Sequence, residues 1–234
     1  MPQHTDRTYE TELSTLRERI LYMGAKVEEI VAASVEAFQT RDPELARSTL
    51  SLDHDINRLE VEIDGFTLSI LARRQPVASD LRFLTTTLKL VTDLERIGDI
   101  AVNICERVVG FAADPPRHEY PGISRMAGTV QGMLRDALDA FVASDVAKAR
   151  WVIEADRDVD AAYTRLFQEV LLAMMEDRSA VQRGMAVQSV AKYLERIGDH
   201  ATNLAEQVVF LADGQDIRHL GSQDSAAPER MPEP

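Results

Sequence analysis

Apolar residues recur every three or four positions along most of the chain, the spacing of helices that each bury one face. Helix-forming residues fill these stretches, and strand-like alternation is scarce. The pattern predicts an all-α fold with six helices, near residues 8–40, 43–73, 77–111, 122–143, 145–176 and 179–212. The breaks between them carry proline, glycine or short polar residues, at Asp42-Pro43, Gln75-Pro76, Asp114-Pro115-Pro116, Pro121-Gly122, Ser144-Asp145 and Asp177-Arg178-Ser179.

The chain contains an internal repeat. The hexapeptide Leu-Glu-Arg-Ile-Gly-Asp occurs at 94–99 and again at 194–199. An earlier stretch, 53–57, resembles 156–160 at a slightly larger offset. The repeat predicts two tandem, pseudo-symmetric three-helix bundles, at 8–112 and 120–212. It leaves a tail, 213–234, whose prolines and polar residues favour disorder.

Acidic residues form a narrow stripe beside the apolar face of the third helix. On a helical wheel Asp99 lies 40° and Glu106 lies 20° from Glu95. The sixth helix repeats this stripe with Glu195, Asp199 and Glu206. The glycines in the two hexapeptides, at 98 and 198, fall inside the packing face, where a helical glycine costs about 1 kcal/mol relative to alanine. Their position predicts a close approach by a neighbouring helix.

Each three-helix unit is expected to end in an antiparallel hairpin, in which facing residues have a constant sum of residue numbers. With the second turn near Asp177, that sum is 355, so Asp156 faces Asp199 and Asp160 faces Glu195. With the first turn at Pro76, the sum is 152, and the facing pairs are Asp53 with Asp99 and Asn57 with Glu95. The sequence thus predicts four clustered carboxylates in the second half and three with one amide in the first.

Clustered carboxylates repel one another unless a positive group intervenes. An all-oxygen set suits a hard divalent or trivalent cation, namely Mg, Mn or Fe. Asn103 and Asn203, one turn beyond the aspartates of the hexapeptides, are candidates for further oxygen ligands. The alternative is that the acids pair with Arg96, Arg196 and other arginines on a solvated face.

The composition and the motifs of the chain limit the classes of function that can be expected. The net charge is −13, which disfavours binding to nucleic acid phosphates. No signal peptide or run long enough for a membrane span is visible, so a cytoplasmic protein without membrane insertion is expected. The single cysteine, Cys105, lies in an apolar helical run and is expected in the core. No phosphate-binding glycine loop, zinc motif or nucleophile triad stands out, and no enzymatic activity is expected.

The duplicated hexapeptide resembles the PhoU family, and the likeness extends over residues 8–220. The other stretches that carry it are Arg74-Gln75-Pro76, Ala78-Ser79-Asp80-Leu81-Arg82, Met174-Met175-Glu176-Asp177 and Gly214-Gln215-Asp216-Ile217-Arg218-His219. The resemblance implies two three-helix bundles and an acidic metal-binding motif, Glu or Asp followed four residues later by Asp. That motif matches 95–99, 195–199 and 156–160, whereas Asn57 departs from it.

The resemblance also implies a role and partners. Family members act in the cytoplasm as negative regulators of phosphate uptake and of the phosphate-starvation response. They are thought to link the ATPase subunit of the phosphate ABC transporter to a sensor histidine kinase, which would recruit this chain to the inner face of the membrane. A homodimer is expected because dimers are the commonest assembly.

The hairpin tip of the first half is a candidate partner contact, because it lies away from the acids. Its residues are Arg73, Arg74, Gln75, Ser79 and Asp80. Turn and capping chemistry is the alternative explanation for them. Two other functions stay open from the residues alone: a metal-storage or metal-dependent helical bundle, and a helical scaffold without a signalling role.

Overall fold

The computed structural model describes residues 7–111, 120–214 and 217, and nearly all of them are helical. The six helices are α1 (Arg7–Thr40), α2 (Pro43–Arg74), α3 (Ala78–Phe111), α4 (Pro121–Ala143), α5 (Val146–Glu176) and α6 (Val181–Asp213). This confirms the predicted all-α fold. The predicted loop at 114–116 lies outside the described residues, as does most of the predicted tail.

In each half one short turn joins the first two helices, and an aspartate side chain caps the following helix in both turns. Asp42 caps α2 by accepting hydrogen bonds from the backbone N–H groups of Glu44 and Leu45, at 2.9 and 3.0 Å. Asp145 caps α5 by accepting from the N–H of Lys148 at 3.0 Å. Each aspartate follows a residue with positive φ, which lets the chain reverse within two residues. The repeat therefore extends to the turns.

The tip of the second hairpin differs from the prediction. The sixth helix was expected from residue 179, but a 3-10 turn, Arg178–Ala180, precedes α6. The Asp177 side chain accepts hydrogen bonds from both the N–H and the hydroxyl of Ser179. This cap stabilises the 3-10 turn, and the α-helix therefore begins at Val181.

The two bundles share one core. Helices α1, α2 and α3 pack together, as do α4, α5 and α6, and the two sets meet where α3 packs on α6 and α1 on α4. A single cluster of buried apolar side chains includes residues from all six helices. Cys105 is fully buried, as predicted. Each half therefore stabilises the other, because burying one large apolar side chain contributes about 1.5–3 kcal/mol.

A polar contact crosses between the halves at the α3–α6 interface. Asp93 Oδ1 lies 2.8 Å from His200 Nδ1 and accepts a hydrogen bond from Asn203 Nδ2 at 3.2 Å. The repeat has no equivalent contact, since Tyr193 stands at the position of Asp93 in the second half. Within the described part of the chain, no helix is long and apolar enough to span a membrane.

Candidate functional site

The register of the α5–α6 hairpin agrees with the prediction. Gln188 Nε2 donates to the backbone oxygen of Phe167 at 3.0 Å. One turn away, Lys192 Nζ lies 5.5 Å from the centre of the Tyr163 ring. The residue numbers of both pairs add up to 355, the predicted sum. Continuing the same register places Asp156 opposite Asp199 and Asp160 opposite Glu195.

Glycines bring the helices of each hairpin close together beside the acids. A Cβ atom added to Gly198 would lie 3.5 Å from Asp156 Oδ1 and from a methyl group of Val159. A Cβ atom added to Gly98 would lie 3.2 Å from Ile56 and 3.7 Å from Asp53 Oδ1. The predicted close approach at both glycines is confirmed. It places Asp53 against α3 in the first half and Asp156 against α6 in the second.

Burial and neighbouring acids raise the pKa of two carboxylates in the second half, Asp156 and Asp199. Burial, followed by the charges of Asp160, Asp199 and Glu195, raises the pKa of Asp156 to about 6. Burial and the charge of Glu195 also raise the pKa of Asp199, against a smaller lowering effect of Lys192. These neighbouring charges, together with the hairpin register, place the four carboxylates along one seam of α5 and α6, where Asp160 and Asp199 remain exposed.

The first half carries a similar but different cluster. Burial, then the charge of Asp99, raises the pKa of Asp53. Asn57 Nδ2 donates to Asp53 Oδ2 at 2.8 Å, which acts in the opposite direction. The other oxygens, Asp53 Oδ1 and Asn57 Oδ1, are buried and have no hydrogen-bond partner in the structure. Burial and the charges of Asp99 and Glu60 raise the pKa of Glu95.

Two acids in this cluster were missed at the level of sequence. Glu60 and Asp64 continue the stripe of Asp53 and Asn57 along α2, and burial raises the pKa of both. Their spacing of seven and eleven residues from Asp53 was the available signal. They form an acidic pair four residues apart, but the repeat has no acids at the corresponding positions, which hold Tyr163 and Phe167.

The two asparagines nominated as extra ligands lie in different surroundings. Asn103 Nδ2 donates to the backbone oxygen of Asp99 at 2.8 Å, beside the first-half cluster. Asn203 donates to Asp93 and so lies at the contact between the halves. Its amide nitrogen stabilises the α3–α6 interface.

Basic side chains offset part of the acidic charge. Arg96 lies 3.6 Å from both Glu95 and Asp99, but its side chain is 56% exposed, and such pairs contribute little. In the second half Lys192 lies 2.6 Å from the Glu195 carboxylate. One lysine against four carboxylates leaves a strongly negative site.

The donor set of the second half fits a hard cation. It consists of carboxylate oxygens from two facing helices, and the buried oxygens of Asp53 and Asn57 add unsatisfied acceptors in the first half. As the side chains stand, no three His, Cys, Asp or Glu groups within residues 7–111, 120–214 and 217 form a ready-made metal site. Binding a cation would therefore require the carboxylates to turn toward a common point.

The first hairpin tip is tied to α1, which the sequence did not predict. Glu12 accepts from Arg74 Nε at 2.9 Å and lies 3.2 Å from Arg73. The Tyr9 hydroxyl donates to Asp80 at 3.1 Å, and burial with this bond raises the pKa of Tyr9 to about 12. Of the five nominated contact residues, Arg73, Gln75 and Ser79 are exposed, whereas Arg74 and Asp80 pack against α1.

Replacing Glu12→Gln is expected to lower the free energy of unfolding by about 1–2 kcal/mol, because the side chain is 13% exposed and holds two arginines. Urea unfolding of the purified protein measures it. The control Glu62→Gln removes a carboxylate that is 51% exposed and 3.8 Å from Arg58, and it should change stability by less than about 0.5 kcal/mol. Equal effects of the two variants would show that the α1 contact adds nothing.

Comparison with known proteins adds an independent observation. A family model, the PhoU domain, matches the chain twice, over residues 20–108 and 123–208. The phosphate-specific transport system accessory protein PhoU homolog of Pseudomonas putida is 39% identical over 223 residues, covering 94% of this chain and 87% of that protein.

Two solved structures share the fold. The crystal structure of PhoU from Pseudomonas aeruginosa has a TM-score of 0.86 and 38% identity, and the match covers 88% of this chain and all of that one (100%). The phosphate transport system regulatory protein PhoU from Streptococcus pneumoniae has a TM-score of 0.83 and 28% identity, over 89% and 99% of the two chains. The two ranges matched by the family model coincide with the two helical units.

Proposed function

This chain belongs to the PhoU family, and on that basis we propose that it is an accessory protein of a phosphate-specific transport system that restrains phosphate uptake. The observation that carries the proposal is the pair of PhoU domains spanning both helical units, each with its acidic hexapeptide. We further propose that it represses the phosphate-starvation response when phosphate is plentiful.

The proposed mechanism is that of an adaptor. A protein of this kind acts by binding one conformational state of its partner more tightly than the other, and so shifts the partner's equilibrium. The proposed partners are the ATPase subunit of the phosphate ABC transporter and a sensor histidine kinase, met at the cytoplasmic face of the membrane. The shared core supports this mechanism, because a stiff body transmits a contact on one half to the other.

We also propose that the acidic clusters bind a hard cation, Mg, Mn or Fe. In the second half Asp156, Asp160, Glu195 and Asp199 would hold it. In the first half the corresponding ligands are Glu95, Asp99 and Asp53, with an amide oxygen from Asn57 or Asn103. A bound cation would supply the positive charge that the carboxylates lack. The buried oxygens without partners support this proposal.

A phosphate-regulon reporter in a deletion strain tests the regulatory role. Under high phosphate, deletion should raise reporter expression several-fold, because the repressing adaptor is gone. The wild-type gene and the surface control Glu62→Gln should both restore repression. Reporter expression that stays repressed in the deletion strain would contradict the proposed function and favour a scaffold without a signalling role.

A further inference from the structure

The second hairpin has a groove on the side of the α5–α6 seam that faces away from α4. Its walls are residues 156–175 of α5 and 181–199 of α6, and we call it the outward groove. Leu166 lies on the opposite side of α5, since a Cβ atom added to Gly122 of α4 would lie 3.3 Å from its side chain. Phe167 and Leu171 lie about 100–140° around α5 from Leu166 and face out of the bundle.

The tip end of the outward groove is apolar and exposed. Phe167 is 45% exposed, Leu171 42%, Met175 75%, Val181 39% and Met185 62%. The hairpin register pairs Leu171 with Gly184 and Met175 with Ala180. Met185 and Val181 each lie one residue further along α6, so the five side chains form one patch. Contiguous apolar patches on a surface mark interaction sites, whereas single exposed side chains do not.

The other end of the same groove is acidic. Asp160 lies seven residues before Phe167 on α5, a rise of about 10 Å, and Asp156 lies one turn further. Lys192 and Tyr163 lie between the two ends, and the Tyr163 ring centre is 6.4 Å from that of Phe167. From Asp156 to Met175 the groove is about 28 Å long, which matches a helix of about five turns.

The first hairpin lacks this combination. At the repeat offset of α2 and α5, Glu60 stands where the second half has Tyr163, and Asp64 where it has Phe167. The equivalent face of the first hairpin therefore carries two more acids, at the two positions where the second hairpin carries aromatic residues. The duplicated units have diverged at the point that creates the apolar end.

We propose that the outward groove, when its carboxylates hold no cation, binds an amphipathic helix of a partner protein, with an apolar stripe over the tip end and basic residues over the acidic end. Charge complementarity favours this occupant, because the carboxylates of the groove would attract basic residues and would repel a helix that carries acidic residues there. The length of the groove sets a helix of about 18 residues. The proposal rests on the adaptor role above, for which it names a contact surface.

Peptide binding to the full-length protein tests the proposal. The probe is a fluorescein-labelled synthetic helix of about 18 residues, with leucines at helical spacing and lysines at one end, measured by anisotropy in EDTA. A second peptide carries glutamates in place of the lysines. The lysine peptide should bind at least about tenfold more tightly than the glutamate peptide, a difference in Kd that weakens as salt is added.

Matched variants locate the binding surface. Phe167→Glu and Met185→Glu should each weaken binding of the lysine peptide by about tenfold or more, because they place charge in the apolar end. Leu68→Glu is the control. Leu68 occupies the position of Leu171 in the first hairpin and is 56% exposed, so binding should not change. Circular dichroism and thermal unfolding of the three variants check that each of them is folded.

Three results would overturn the proposal. They are equal binding of both peptides, equal weakening by Leu68→Glu, and a wild-type dimer in sedimentation that Met185→Glu dissociates, which would assign the groove to a second copy of the chain. The reporter experiment is independent of these outcomes. If the deletion strain remains repressed, the regulatory role fails while the peptide measurements still decide what the groove binds.

Discussion

Mn²⁺ added to the metal-free protein at neutral pH is expected to raise the melting temperature by about 5–10 °C. A ligand that binds only the folded state at one hundred times its Kd adds about 2.7 kcal/mol. For a chain of this size each kcal/mol shifts the melting temperature by about 2–4 °C. The gain should be large because the cation offsets the burial and the repulsion between carboxylates that raise the pKa of Asp156 and Asp199.

The double variant Asp156→Asn/Asp199→Asn is expected to lose the second-half contribution to this gain. Its matched control is Asp53→Asn/Asp99→Asn, which alters the equivalent positions of the first half and should keep the second-half contribution. Thermal unfolding with and without Mn²⁺ measures both. The same shift in wild type and in the second-half variant would mean that Mn²⁺ stabilises the protein from another site.

Without metal, the single substitution Asp156→Asn is expected to stabilise the protein at neutral pH. The Asp156 carboxyl ionises at about pH 6 in the folded chain and at its ordinary value of 3.8 in the unfolded chain. Its contribution to stability is therefore fully present below pH 3.8, and it is lost as the pH rises through 6. Asparagine keeps the shape of the side chain and removes the charge.

The expected gain is about 1–2 kcal/mol at neutral pH, after allowing for screening by solvent at a half-buried group, and close to zero near pH 4. Urea unfolding in EDTA across this pH range measures it. Asp158→Asn, an exposed neighbour on α5, is the control and should change stability by less than about 0.5 kcal/mol at every pH. A wild-type protein that is more stable than Asp156→Asn at neutral pH would contradict the predicted repulsion.

The helices and the hairpin register could be predicted from sequence because their determinants are local. Asp42 and Asp145 cap the helices that follow them, and their positions fix where those helices begin. The second hairpin has a short turn and two unbroken helices, so one turn position sets every facing pair. For this reason the prediction that Asp156 faces Asp199 agrees with the contacts at Phe167–Gln188.

The contacts between distant parts of the chain could not be predicted in this way. The pairing of Asp93 with His200 depends on how α3 packs against α6, and the other half has Tyr193 and Ile100 at the equivalent positions. The bonds of Arg74 and Asp80 to α1 depend on α1 reaching the first hairpin tip. Helical periodicity reports which face of each helix is apolar, but not which helices meet.

The predicted site was incomplete for a different reason. Glu60 and Asp64 share a face of α2 with Asp53, but they are not duplicated in the second half, so the repeat did not mark them. Their counterparts in the second half, Tyr163 and Phe167, are aromatic and carry no acidic motif. The exposure of Phe167 and the contact of Tyr163 with Lys192 across the hairpin show that they line a groove.

Counting the metal retained after equilibrium dialysis tests most directly whether the second-half carboxylates form one cation site. Wild-type protein dialysed against Mn²⁺ should retain more metal per chain than the variant Asp160→Asn/Glu195→Gln, which leaves Asp156 and Asp199 in place but removes the other two carboxylates. Identical metal content in the two proteins would contradict a shared site in the α5–α6 hairpin.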